Sequence, residues 1–403
     1  MDTPNYTPDS FIPFMGRTIL SQSIPRNFER RHPHTRHIAC KDPVRVPWKI
    51  SEAYSCGVIG LHEEITDFYE VMKPTEEEAE VRLKVVEHVT RIVHSLWPQA
   101  KVEVFGSFRT GLYLPSSDID MVIIGEWRSV PLSTLSQALE RNGVQNCDIN
   151  IIASATVPII RLLHSHSKVR VDISFNMTNG VKSAKMIKKL IKEHPALPKL
   201  VMVLKQFLVH RGLNEVYNGG MSSYCLTLLI LSYLQGCHKP RCSPSLNLGT
   251  MLIEFFEHYG VNFNYEKVSI HFQNGGNYRP RGSQGGTLLC VEDPLVQGHD
   301  VAKGTYLMHL LKISFQNAYY ALSKSVSESS LSGTPYNSFL SLVLKVDEEV
   351  LHNRQQMQHN APKIIRKLNI LLNNPPSESS SQSSPVPKQR KSNQFHKKKR
   401  FSN

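Results

Sequence analysis

The sequence predicts an α+β fold: a small mixed α/β domain joined to a mainly helical one, with disordered basic tails. Three observations predict it. A Glu-rich helical pattern leads into short β-type runs, the chain beyond Lys182 reads as successive helices, and both ends are rich in polar, Pro and basic residues without a sustained apolar period. A chain of 403 residues also exceeds what one compact core usually serves, so two packed domains are expected.

Taken in order, residues 1–47 carry Pro, Arg and His without periodicity and read as a disordered basic arm. From Gly60 the pattern turns helical, with Ile65, Phe68, Tyr69 and Met72 on one stripe of a segment spanning 48–75. After Pro74 a Glu-rich first turn, favourable at a helix N-terminus, opens a helix to about Ser95. Short β-type runs follow at 102–105, 119–124, 149–152 and 169–175, with a helical stretch near 132–142 between them, which makes 76–182 a small α/β domain. Helices are expected at 183–193, 197–211, 223–235, 248–259 and 303–324, so 183–330 is mainly α. A C-terminal extension, 331–372, is helical from about Ser338 to Leu372, with Pro362 expected to break or kink it. Residues 373–403 form a Pro/Ser linker and a tail carrying Lys388, Arg390, Lys391, Lys397, Lys398, Lys399 and Arg400. The linker has too little apolar content to offset the entropy of ordering.

The formal charge of +13 and pI of about 9.3 suit a polyanionic partner, because Lys and Arg gain affinity by releasing counterions from phosphates. The basic tail reads as a nuclear import signal or an RNA-gripping element, and the location expected is the nucleus. Seven cysteines at irregular spacings make no disulfide framework. Cys237, His238 and Cys242 hint at metal-ligand spacing, but no second Cys/His pair completes a zinc site. No apolar run approaches the roughly 18 residues of a membrane span, so no membrane partner is expected.

The chemistry concentrates at Phe105-Gly106-Ser107, followed ten residues later by Asp118-Ile119-Asp120. Strand alternation puts Asp118 and Asp120 on one face, where two carboxylates repel unless they share a proton or meet cations. Hard oxygen ligands suit Mg²⁺. Gly106 permits close backbone approach, and Ser107 adds a hydroxyl and neighbouring N–H groups for phosphate oxygens. Asp172, on the polar face of Val169–Phe175 with Arg170 and Ser174, is the third carboxylate needed for a two-metal site. Ser222 and Ser223 begin a helix, where anions collect. Lys205, in the apolar run 200–208, either snorkels outward or enters a polar cleft, and Tyr224 is either core or a stacking platform.

Gly106-Ser107, Asp118-x-Asp120 and Asp172 resemble the signature of the DNA polymerase β-like nucleotidyltransferase superfamily. Within it, FGSFRTGLYLPSSDID (105–120), DISFN (172–176), VLKQFL (203–208), SSYCL (222–226) and Glu292-Asp293-Pro294 are similar to the non-canonical poly(A) polymerases, nearest to the nuclear RNA-surveillance branch of TRAMP-type complexes. The resemblance covers roughly Trp48 to Leu322. It implies a catalytic domain at 76–182 and a helical central domain assembled from 48–75 and 183–330, with ATP in the cleft between them. By matched motif, Gly180 lines the nucleotide site, Lys205 contacts the triphosphate, and Ser223 and Tyr224 serve phosphate binding and base stacking.

The activity implied is template-independent addition of AMP from ATP to RNA 3′-OH ends, using Mg²⁺ or Mn²⁺ on Asp118, Asp120 and Asp172, in nuclear RNA processing, surveillance or decay. Companions implied are a zinc-knuckle RNA-binding protein and an RNA helicase. The pattern departs from the adenylating branch at His299 and Lys303, where the family usually has Asn and Arg. A neutral His offers one donor and one acceptor in a different shape from an amide, and Lys lacks the planar fork of Arg. Uridylate-adding relatives carry His there, so uridylate or relaxed selectivity is the alternative. Two further rivals are a catalytically weak RNA-binding scaffold and a transferase acting on a small molecule or protein.

Overall fold

The computed structural model describes residues 46–144, 148–153, 157–237, 247–272, 277–281 and 288–373. The linker beyond 373, the basic cluster 388–400, the arm before Val46, and His238 and Cys242 lie outside the described residues.

Helix α1 (Gly57–Met72) is amphipathic as its stripe requires, burying Leu61, Ile65, Phe68 and Met72. Its buried Glu64 accepts hydrogen bonds from Trp48 Nε1 at 3.0 Å, Phe339 N at 2.7 Å and Leu340 N at 3.0 Å, and one from Ser338. A carboxylate taken from water is tolerated there because both oxygens are occupied. Helix α2 (Glu76–Leu96) opens with a capping box, Thr75 accepting from Glu78 N while the Glu78 side chain accepts from Thr75 N.

The α/β domain is a five-stranded sheet in the order β1 (Lys101–Phe105), β2 (Ile119–Ile124), β5 (Arg170–Phe175), β4 (Ile159–Leu163) and β3 (Ile149–Ile152). Strands β2 and β5 are parallel, and the other neighbours are antiparallel. A short helix α3 (Gly106–Thr110) follows β1, and α4 (Leu132–Arg141) packs with α2 behind the sheet. Sequence periodicity did not single out β4: Ile159-Ile160-Arg161-Leu162-Leu163 is too short and too uniformly apolar to show a clear alternation.

Helices α5 (Asn179–Glu193), α6 (Leu197–His210), α7 (Ser223–Cys237), α8 (Leu248–Glu257) and α9 (Met308–Ser332) build the helical domain, with hairpins β6 (Val268–His271)/β7 (Asn277–Pro280) and β8 (Glu292–Asp293)/β9 (Val296–Asp300). Two hydrophobic cores result. One joins α1 to α6–α9, and the other joins α2, α4 and the sheet.

The C-terminal extension serves both cores. Phe339, Leu340, Val343 and Leu344 pack into the helical core, whereas α10 (Glu348–Asn373) lies on α2 and adds Leu368 to the sheet core. Helix α10 runs through Pro362 as one helix and does not break there. The ring removes one backbone donor, but burial of Ala361 and Leu368 on either side holds the helix on course.

Candidate active site

The sheet register assembles the site. Phe105, Asp120, Asp172, Arg161 and Asn150 are successive partners across β1, β2, β5, β4 and β3, a single transverse row. Asp118 stands immediately before β2. Asp120 is pushed up to about 7, first by burial and then by the charges of Asp118 and Asp172, with Lys205 and Arg161 opposing. Burial and two neighbouring like charges both disfavour the ionised form.

Gly106 closes one side of this group. Its φ is +63°, and a Cβ there would lie 1.9 Å from Asp120 Oδ2. Both the left-handed backbone and the contact demand glycine. Ser107 is the next residue of α3, and its carbonyl accepts from Leu112 N at 3.1 Å, folding the loop that leads to Asp118. Arg82 of α2 secures the end of that loop, donating to Ser117 O at 2.8 Å.

Lys205 of α6 does not snorkel. It is 7% exposed, donates to Leu112 O at 2.8 Å, and is lowered to about 8 by burial, with the charges of Asp120 and Asp118 acting against the shift. It is therefore an ammonium at neutral pH inside the field of both carboxylates.

Asp172 is held by a residue that the sequence reading missed. Arg161 donates from Nε to Oδ1 at 2.9 Å and from Nη2 to Oδ2 at 2.7 Å, a two-pronged pair. The signal available was a single cation in an apolar run, and only the β4–β5 register reveals its partner. Among the described residues, no three His, Cys, Asp or Glu side chains are gathered as a ready metal cage. The donor chemistry nevertheless fits a hard divalent cation: oxygen ligands only, one with its ionised form disfavoured by burial and like charges, and a third paired with the Arg161 guanidinium.

A second group lies on the helical domain. Tyr224, in the first turn of α7, donates to Asp293 Oδ1 at 3.0 Å, and His299 Nδ1 is 3.5 Å from Asp293 Oδ2. Asp293 is 7% exposed and His299 is 59% exposed, so Asp293 presents His299 to the surface from the β8–β9 hairpin. Helix α5 connects the two groups. Gly180 packs where a Cβ would meet the Phe105 ring at 2.5 Å, and Ser183 is in hydrogen-bonding reach of the Tyr224 hydroxyl. Ser222 Oγ accepts from Cys225 N at 3.1 Å and so caps α7, leaving Ser223 exposed beside it. Lys303 is exposed, with no ion pair among the described residues, and does not join either group.

A mixed five-strand sheet bearing one carboxylate on β2, a second just before that strand and a third on its parallel neighbour, joined to a helical domain, is a polymerase-core fold. Residues 61–192 match the family model "Poly(A) RNA polymerase, mitochondrial-like, central palm domain", and residues 247–299 match "Cid1 family poly A polymerase". Poly(A) RNA polymerase CID14 of Cryptococcus neoformans is 35% identical over 379 residues, 85% of this chain and 48% of that protein. The inactive non-canonical poly(A) RNA polymerase protein Trf4-2 of Drosophila melanogaster is 36% identical over 333 residues, 78% of this chain and 81% of that protein. The solved polymerase core of TRAMP, an RNA surveillance complex, superposes with a TM-score of 0.62 at 32% identity, covering 71% of this chain and 94% of that one. The chain belongs to the non-canonical poly(A) RNA polymerase family. It spans about half the length of some curated relatives, 48% of the Cryptococcus protein and 46% of cid14 from Schizosaccharomyces pombe.

Proposed function

We propose that the protein is a template-independent RNA 3′-terminal nucleotidyltransferase that transfers AMP from ATP, a poly(A) polymerase acting in nuclear RNA processing, surveillance or decay. The observation that carries this reading is the transverse row that sets Asp120 beside Asp172, with Asp118 two residues before Asp120 and Lys205 buried in the field of Asp118 and Asp120.

The 3′ hydroxyl oxygen attacks the α-phosphorus of ATP, the bond from that phosphorus to the bridging oxygen breaks, and pyrophosphate leaves. Asp118, Asp120 and Asp172 would hold Mg²⁺ or Mn²⁺, which supplies charge neutralisation and a more acidic 3′ hydroxyl when bound. Lys205 offers the triphosphate an ammonium whose charge persists at neutral pH. Gly106 and Ser107 let phosphate oxygens approach the backbone, while Gly180 lets α5 pack closely against Phe105. Ser223, at the start of α7, lies where an anion is favoured. Asp172 takes the hydroxyl proton once Arg161 releases one of its oxygens.

His299 favours a second reading on base choice. An imidazole held beside Asp293 keeps its Nδ1 turned to the carboxylate and offers its other nitrogen outward, a pattern that an amide does not reproduce. Uridylate or relaxed selectivity is the form of this reading, with Lys303 standing where the family usually has Arg. The likeness to Trf4-2, named inactive, supports the further alternative of a weakly catalytic RNA-binding scaffold. A zinc-knuckle RNA-binding protein and an RNA helicase are the proposed companions, in keeping with the likeness to the TRAMP core.

The test is extension of a labelled 3′-OH oligoribonucleotide with each NTP singly and Mg²⁺ or Mn²⁺. Asp118→Ala/Asp120→Ala is expected to lose about 1,000-fold or more, since the metals supply several kcal/mol to the transition state. Extension by the native chain with UTP in preference to ATP, reversed by His299→Asn, establishes the second reading. Absence of extension with any nucleotide and metal, with companions added, leaves the scaffold.

A further inference from the structure

Behind the Asp118 loop, a cavity of about 720 Å³ opens between α2, the β4–β5 turn and α10. The proposed chemistry uses none of it. Six cationic side chains line it: Arg82, Lys168, Arg170, Arg354, Lys363 and Lys367. Its acids are fewer in effect, because Glu78 is taken by Arg354 at 2.8 Å, leaving Asp347 and Glu349. Lys367 of α10 and Lys168 of the turn both depress His166, after burial itself, so cations from two separate elements converge there.

Two observations show that this is more than a charged face. Arg82 is 2% exposed, and its Nε and Nη1 have no hydrogen-bond partner, although Nη2 is anchored on Ser117 O. A buried guanidinium with unspent donors favours an anion nearby. Lys168 adopts φ +56°, a left-handed conformation costly for a side chain with a Cβ, and its N–H donates to His164 O at 2.8 Å to hold that turn.

The cavity also connects to the aspartates. Arg170 and Asp172 alternate onto the same face of β5, about 7 Å apart along the strand. Arg170 Nη2 donates to Ser116 O at 2.6 Å, in the loop that ends at Asp118. Arg170 is thus the cavity cation tied to the Asp118 loop, while Lys168 and Lys367 converge on His166 and Lys363 lies one helical turn before Lys367 on α10.

We propose that this cavity is a backbone track for single-stranded RNA, gripping phosphates upstream of the 3′ end through Arg170, Lys168, Lys363 and Lys367, with Arg82 as a buried positive base. The inference rests on the nucleotidyl-transfer reading above. Grip at phosphates alone is independent of sequence and salt-sensitive.

Fluorescence anisotropy of a labelled oligoadenylate of roughly 15 nucleotides, read at several salt concentrations, tests it against Lys363→Ala/Lys367→Ala, both exposed positions. Losing two phosphate contacts is expected to weaken Kd about tenfold and to flatten the log Kd against log salt slope by about 1.4. In extension assays the variant's KM for that primer rises, while KM for the dinucleotide ApA, too short to reach α10, stays unchanged. A native chain that extends RNA alongside a variant with unaltered Kd and slope overturns the track alone. A native chain that neither binds nor extends RNA removes the nucleotidyl-transfer reading together with it. In a separate arm with inorganic phosphate alone, a rise in Tm that the variant lacks, coupled to unaltered RNA binding, assigns the cavity to a small anion and overturns the RNA assignment.

Discussion

Gly106 shows how narrowly the carboxylates are placed. Converting it to Ala imposes a left-handed alanine, costing about 1–2 kcal/mol, and sets a methyl where Asp120 Oδ2 now lies. The carboxylate must swing away, so Gly106→Ala should keep its circular dichroism spectrum while primer extension falls about 100-fold, as small misplacements of reacting groups do. Wild-type activity would show that Asp120 needs no such restraint. Lys205→Met gives a complementary split: a buried ammonium is replaced by an apolar chain of similar length, and KM for ATP should rise about 10- to 100-fold with the loss of a charge-assisted contact worth about 1.5–3 kcal/mol. An unchanged KM would free the ammonium from triphosphate binding. The juxtaposition of Asp118, Asp120 and Gly106 was legible from the chain because their spacing is local: two aspartates two residues apart at the start of β2, and a turn glycine before them. Arg161 was not, because its meaning comes from a partner eleven residues on, across a turn.

The elements around the site carry a pH dependence of their own. His88 of α2 and His164 at the end of β4 share a buried contact, Nδ1 to Nε2 at 3.2 Å, and His164 Nδ1 lies 3.0 Å from Ser167 Oγ. One ring donates and the other accepts, so at most one of the two can be protonated on both nitrogens. Burial lowers His88 to about 4, helped by His166 and Arg91, and lowers His164 to about 3, helped by His88, His166 and Lys168. Between pH 6.5 and about 4 the unfolded chain therefore binds protons that the folded chain refuses. Stability from this pair is intact above pH 6.5 and is lost as pH falls through that window, by about 2 kcal/mol per imidazole between neutral pH and pH 5. Urea midpoints at pH 7.5 and pH 5 should show the drop, and His88→Asn should reduce it; an equal drop in the variant would place the acid sensitivity elsewhere. Strand β4 escaped a reading based on periodicity, and so did this pair, since an apolar run with two flanking histidines has the same composition whether it is a loop or the strand that brings Arg161 to Asp172.

Across the whole molecule, the two cores meet through few covalent links, and the C-terminal extension straps them. Its first part is pinned to the helical core, where Arg211 Nη1 donates to Val343 O at 2.6 Å and Gln206 Nε2 to Lys345 O at 2.6 Å. Its second part, α10, crosses to α2. At the crossing Arg354, 6% exposed, donates from Nε to Glu78 Oε1 at 3.0 Å and from Nη2 to Glu78 Oε2 at 2.8 Å, and it also donates to the carbonyls of Val71 and Lys73 at the end of α1. One guanidinium thus fixes the α1–α2 junction, the point where the chain first passes from the helical core to the sheet core. The helical nature of α10 was legible from its pattern, whereas its role as a strap was not, because it depends on which core each half meets. Arg354→Ala leaves Glu78 buried without its partner and should cost about 3–5 kcal/mol, read as a lower urea midpoint. Arg354→Met/Glu78→Gln removes both charges and should recover part of that loss, though not the α1 carbonyl contacts. Since the strap also forms one wall of the cavity behind the Asp118 loop, both variants should weaken RNA binding beyond their loss of stability; full RNA affinity in the double variant would mean that α10 holds its place by its apolar face alone.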